Sequence, residues 1–217
     1  AGKHPEHKNL AARMASYELA YRMQAKVPGV IDLNGEPEHV REAYGMNQKE
    51  TSVFGHQCLM ARRLVEKGVR FVQIFSGGWD SHDYLERGHS ARIRSVDKSM
   101  TALIKDLKQR GLLDSTLIVF TGEFGRTPFA QGSNGRDHSP FGFSLFLCGG
   151  GAKGGTIYGA TDDYGYRAVE NKCELHDLHA TMLHLAGMDH KRLTYRFSGR
   201  DMRLTDVHGN VLHDIVA

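Results

Sequence analysis

Two short apolar runs bracket one long amphipathic stretch in the middle of the chain, and this order limits the fold more than any other feature. Val69 to Phe75 is rich in β-branched and aromatic residues and ends at Ser76-Gly77-Gly78. Thr116 to Thr121, with Leu117, Ile118, Val119 and Phe120 between, is the second run. Between them, His89 to Arg110 carries Ile93, Val96, Met100, Leu103 and Leu107 at steps of three and four, and Gly111 stops it. Two buried strands joined by a helix form a βαβ unit, whose right-handed crossover makes the strands parallel. The pattern predicts an α/β fold with a mostly parallel sheet flanked by helices.

The rest of the chain is read around that unit. Leu10, Met14, Tyr17 and Tyr21 recur at helical spacing within residues 1–25. Residues 26–50, with Pro28, Gly29, Gly35, Pro37 and Gly45, read as a loop-rich connection. Residues 51–67 carry the stripe Phe54, Cys58, Ala61 and Val65 and stop at Gly68, a second helix. Phe141 to Cys148 reads as a third strand, and Leu175 to Ala186 as a short helix closed by Gly187. No repeat or internal boundary interrupts the 217 residues, which suit a single α/β domain: a helical and loop region 1–50, a core 51–190 and a tail 191–217.

Composition excludes some functions. Lysine and arginine total 28 against 25 acidic residues, and the two signs are interleaved, so nucleic acid is not an expected partner. No apolar run approaches membrane-spanning length, and the opening Ala1-Gly2-Lys3-His4-Pro5 lacks a signal-peptide pattern. Three cysteines are too few for a disulfide framework and have no zinc-ribbon spacing; Cys58 and Cys148, in apolar stretches, read as small hydrophobes.

Chemistry gathers at the predicted strand ends. Gly77-Gly78-Trp79-Asp80-Ser81-His82 follows the first strand, and Gly122-Glu123-Phe124-Gly125-Arg126-Thr127-Pro128 follows the second, with Asp137-His138 further on. In a parallel sheet, loops leaving the carboxyl ends of the strands share one edge. Carboxylates and imidazoles together suit a divalent ion such as zinc or manganese, and carboxylates alone suit magnesium or calcium. Arg126 and Arg136 flank the loop and could hold an anionic group by bidentate hydrogen bonds. Each residue also has a plainer reading: Asp80 as a turn or cap residue, Glu123 solvated or paired with Arg126, Asp137-His138 as turn chemistry. His176, Asp177, His179 and His184 read as solvated or capping residues of one helix. The glycine run 149–155 with Lys153 lacks the spacing of a phosphate loop.

These motifs carry a resemblance. The segment from Asp114 to Gly125 resembles the strand of the alkaline phosphatase/sulfatase superfamily that ends in Ser-Asp-His-Gly. Asp177-Leu-His-Ala-Thr-Met-Leu-His-Leu-Ala-Gly-Met resembles one of its helices. Gly-Gly-Trp-Asp-Ser-His, Gly-Glu-Phe-Gly-Arg-Thr-Pro, Gly-Arg-Asp-His and Leu-Thr-Tyr-Arg-Phe-Ser-Gly-Arg-Asp are similar to motifs of the sulfatase-like DUF1501 proteins, along nearly the whole chain. The resemblance implies an alkaline-phosphatase-like sheet and a metal-dependent hydrolase of sulfate or phosphate esters. It implies Asp80, His82 and His138 as ligands of one divalent ion and Glu123 at a second. It also implies a periplasmic or secreted location, and that this sequence corresponds to the C-terminal half of longer chains, an incomplete domain whose missing half or oligomeric partner completes the site. Two departures bear on activity: Phe124 stands where the superfamily has a histidine, and no nucleophile is assigned. The alternative implied is a non-catalytic sulfatase-like domain that binds a glycan, an anion or a protein partner.

Overall fold

The computed structural model describes residues 5–217. The opening residues 1–4, part of the stretch read as lacking a signal-peptide pattern, lie outside the described residues. Two compact units are present. One comprises residues 1–75 and 94–103, the other residues 76–93 and 104–217. No helix among the described residues is long and apolar enough to cross a membrane.

The first unit is helical. Helix α1 (Pro5–Ile31) takes in the first predicted helix and continues through Pro28 and Gly29, where a loop was expected. Helix α2 (Glu38–Ala43) follows, and α3 (Ser52–Glu66) matches its prediction closely. Cys58, Leu59 and Ala61 are buried on α3, with Tyr44 beside them in the core of this unit. Burial raises the Cys58 thiol to about 12, so it packs as a hydrophobe and is not a nucleophile. Arg62, also buried, is held by Glu36 at 2.6 Å and Glu66 at 2.7 Å, which satisfies a charge that would otherwise be costly inside. Helix α4 (Leu85–Gln109) includes residues of both units. Its Ser99 donates to the Tyr44 carbonyl at 2.8 Å, within the first unit.

Among the described residues every strand lies in the second unit, and the strands form four two-stranded antiparallel ladders. β1 (Ile118–Phe120) lies among them, followed by β2 (Gly125–Arg126), β3 (His138–Ser139) and β4 (Phe146–Cys148). β1 pairs with β4, and β2 with β3. β5 (Ala160–Thr161) pairs with β6 (Ala168–Glu170), helix α5 (Leu175–Leu185) follows, and β7 (Thr194–Phe197) pairs with β8 (Arg200–Arg203). His190 and Thr205, both buried, join at 2.8 Å behind the β7–β8 hairpin.

The mostly parallel sheet expected from the sequence is therefore not formed. The second predicted strand exists, but it runs antiparallel to β4, with Phe120 opposite Phe146 and Ile118 opposite Cys148. The first predicted strand, 69–75, has no ladder partner. Its exposure alternates along the segment, and Phe71 and Phe75 are 73% and 75% exposed. An apolar, β-branched run shows that the backbone favours extension and that its side chains favour burial. It specifies neither the partner nor its direction, which a distant segment supplies. Strand-end convergence on a parallel edge thus cannot be what assembles a site.

Candidate metal centre

Another device brings the two loops together. Residues 81–85 lie against residues 131–136 through backbone hydrogen bonds. The amide of Arg136 donates to the Ser81 carbonyl at 3.0 Å, that of Tyr84 to Ser133 at 2.9 Å and that of Leu85 to Asn134 at 3.2 Å. The Asp83 carboxylate accepts from the Ser133 amide at 2.7 Å. Contact this close needs a residue without a side chain. A Cβ on Gly135 would stand 1.6 Å from the His82 carbonyl oxygen, which explains glycine in Asn134-Gly135-Arg136. Behind the first loop, Trp79 bonds Ser76 through its indole N–H at 3.2 Å, and its carbonyl meets the His89 ring at 3.0 Å.

The second device is the short β2–β3 ladder. Arg126 is directly opposite His138, and cross-strand partners project to the same face. Both reach one carboxylate oxygen of Asp80. Arg126 donates to Asp80 Oδ1 at 2.6 Å, and His138 Nε2 lies 2.9 Å from the same atom. His82 Nε2 completes the group, 3.0 Å from Asp80 Oδ1. One ligand atom from each of Asp80, His82 and His138 falls within 4.8 Å of the others, and all three residues are exposed. Thr127, buried, fixes the end of the ladder: its amide donates to the Asp137 carbonyl at 2.9 Å, and its hydroxyl accepts from the Asp137 amide at 3.1 Å.

The electrostatics follow from these contacts. The bond from His138 and then that from Arg126 lower the Asp80 carboxyl to about 2, so it is ionised across the physiological range. Asp137 is also held below the ordinary carboxylate range, chiefly by the backbone N–H of His138. Its Oδ1 lies 3.7 Å from His82 Nδ1, the ring nitrogen turned away from Asp80. That is too long for a direct hydrogen bond, yet it places a negative charge behind the imidazole, as in many sites where a carboxylate orients a metal-binding histidine.

Of the residues expected at this site, Asp80, His82 and His138 converge. Glu123 is exposed and is not part of the three-residue group. Arg126 is engaged by Asp80. Arg136 donates to the Asn134 side chain at 3.0 Å and to the Gly135 carbonyl at 2.9 Å. Two contributors were not assigned roles from the sequence. Asp137 faces His82, and its adjacency to His138 was the available signal. Phe124, noted only as a departure from a histidine, packs its ring on His138 at 4.2 Å between centroids, with the Arg126 guanidinium 5.5 Å from the Phe124 centroid. The two rings are tilted by 36°, so Phe124 packs against one face of the imidazole.

A family model described as "Protein of unknown function (DUF1501)" matches residues 1–216. No curated protein and no solved structure matches the chain.

Proposed function

The chain belongs to the DUF1501 family, and from that premise we propose that Asp80, His82 and His138 hold one divalent metal ion in a hydrolase of sulfate or phosphate esters, a distant relative of the alkaline phosphatases. The observation that carries this reading is the convergence of one carboxylate and two imidazoles within 4.8 Å, from loops far apart in sequence.

The donor set fits an ion. Metal–ligand bonds of about 2.0–2.1 Å in a tetrahedral site separate the ligand atoms by about 3.3 Å. Asp80 Oδ1 lies 3.0 and 2.9 Å from the two imidazole nitrogens, a few tenths of an ångström short of that spacing, and all three ligand atoms fall within 4.8 Å of one another. Two nitrogens and one oxygen favour zinc or manganese over the all-oxygen sites of calcium and magnesium. Three protein ligands leave positions for water and an ester oxygen. A bound ion of this kind polarises that oxygen or lowers the pKa of water.

The chain's own groups then have defined tasks. Asp80 and the two imidazoles bind, Asp137 and Phe124 orient the imidazoles, and Arg126 holds Asp80 in place. The only side-chain hydrogen bond of Arg126 among the described residues is the one to Asp80, so its remaining N–H donors can meet an anionic ester oxygen. Arg136 is a second anion contact. This reading assigns no nucleophile. Glu123 is not part of the three-residue group.

A second reading is a non-catalytic domain binding an anion, a glycan or a protein. Arg126 favours it, because Asp80 already has a cationic partner without any metal. Elemental analysis and ester assays separate the two. Wild-type protein should carry a stoichiometric divalent ion, and Asp80→Ala or His138→Ala should lose it. Turnover of sulfate or phosphate esters should need the added ion and vanish in both variants. Equal metal content in wild type and variants would exclude the centre, and metal without turnover would leave the binding role. The family resemblance also supports a periplasmic or secreted location, which fractionation of the source cells tests.

A further inference from the structure

A cleft of about 850 Å³ opens in the second unit between β6, the start of α5 and the turn after β8. Four cationic side chains line it: Arg167, Lys172, Lys191 and Arg203. Among the described residues, no ion pair joins any of the four to a carboxylate. The cleft also contains two acids, Glu174 and Asp177, but both are engaged by the N-terminus of α5. They form its capping box, and Asp177 accepts from the Glu174 amide at 2.8 Å and from the Asn210 amide at 2.7 Å. Both carboxylates are tied to backbone N–H groups, although the Glu174 side chain stays 74% exposed, and Arg167, Lys172 and Lys191 are exposed as well.

The wall is built to keep one cation in place. Arg167 sits over the Phe141 ring, its guanidinium carbon 4.4 Å from the centroid. The Phe141 carbonyl accepts from the next amide, Ala168, at 2.8 Å. Phe141 is three residues beyond His138, on the same segment. Four cations of like sign around one concavity repel one another, so an occupant of opposite charge relieves that repulsion. With Glu174 and Asp177 counted, the lining carries a net charge of +2, which a dianion balances and a monovalent anion does not.

We propose that this cleft binds a small polyanion, a molecule carrying two or more phosphate or sulfate groups, with Lys172, Lys191 and Arg203 closing on its oxygens from one side and Arg167 from the aromatic wall. Binding here uses none of the residues of the metal centre and is independent of the function proposed for it.

Calorimetric titration of the whole chain with inorganic pyrophosphate, and separately with a fully sulfated disaccharide, tests this. Both are run in chelator and again on Asp80→Ala, which removes the metal centre from the comparison. The expected result is saturable binding of at least one probe, unchanged by chelator or Asp80→Ala. It should weaken about tenfold or more in the combined Lys172→Gln, Lys191→Gln and Arg203→Gln variant. Raising salt from about 0.01 M to about 1 M cuts the screening length from about 30 Å to about 3 Å and should abolish it. Lys105→Gln with Lys108→Gln, on α4 and outside the cleft lining, is the control for net charge and should bind as wild type. If the combined variant fails to fold, Lys191→Gln alone should still weaken binding several-fold. Pyrophosphate-only binding assigns the cleft to phosphates, and disaccharide-only binding to sulfated sugars. Failure of both probes, or equal weakening by the α4 control, overturns the proposal. Loss of binding in Asp80→Ala also overturns it and leaves the metal-centre reading untouched.

Discussion

Gly135 and Asp80 are the two residues on which the candidate site most depends. A methyl on Gly135 would collide with the His82 carbonyl at 1.6 Å, and its nearest neighbours are backbone atoms that a rotamer change cannot clear. Gly135→Ala is therefore expected to destabilise the fold by roughly 3 kcal/mol, or to separate the two loops instead. Denaturant unfolding together with metal content checks this, and an unchanged midpoint with unchanged metal would refute it. Asp80 makes a prediction about pH. Its folded-state pKa, about 2, lies below the ordinary 3.8, so its contribution to stability is present above about pH 4 and is lost as pH falls through about 2. Arg126→Gln removes one of the two donors responsible, and the carboxyl titration followed by NMR should move up toward the ordinary value. An unmoved titration would show that Arg126 does not hold Asp80 in solution. Asp80, His82 and His138 were legible as candidates because carboxylates and imidazoles can ligate an ion and these stand in loops that follow apolar runs. Asp137 and Phe124 were not, because an orienting role depends on which ring each one faces.

At the scale of elements, sequence pattern located α3, α4 and α5 to within a few residues: Cys58 and Ala61 of the α3 stripe and Val96, Leu103 and Leu107 of the α4 stripe are buried, while Ile93, at the start of the α4 stripe, is 54% exposed. Strand pairing was less accessible. The β2–β3 ladder is two residues on each side, too short to leave an alternating pattern, yet it sets Arg126 opposite His138. Helix α5 supplies the test at this scale. Asp177 caps the helix and also accepts from both Asn210 N–H groups, the backbone one at 2.7 Å and the side-chain one at 3.3 Å, so it ties α5 to the chain end. Asp177→Ala should cost about 1–2 kcal/mol in chemical denaturation, with Asp177→Asn recovering part of it. A loss below about 0.3 kcal/mol would mean that the cap is solvated and contributes little.

Across the whole molecule, the parallel sheet expected from the two apolar runs gives way to helices in one unit and small antiparallel ladders in the other. Amide hydrogen exchange separates these architectures. Residues 70–75 have no backbone ladder and should exchange quickly, while the amides of α3 stay protected; slow exchange at Phe71 to Phe75 would restore a paired strand. The sequence by itself determined helices α3, α4 and α5 and which residue types could ligate an ion, because those properties are local: a stripe recurs within one helix, and a ligand's chemistry belongs to its own side chain. Only the tertiary structure decided which strands pair, that residues 81–85 lie against residues 131–136, and that Asp80, His82 and His138 meet while Glu123 stays outside the group. Those outcomes turn on hydrogen bonds between segments separated along the chain, whose partners and direction no local pattern encodes.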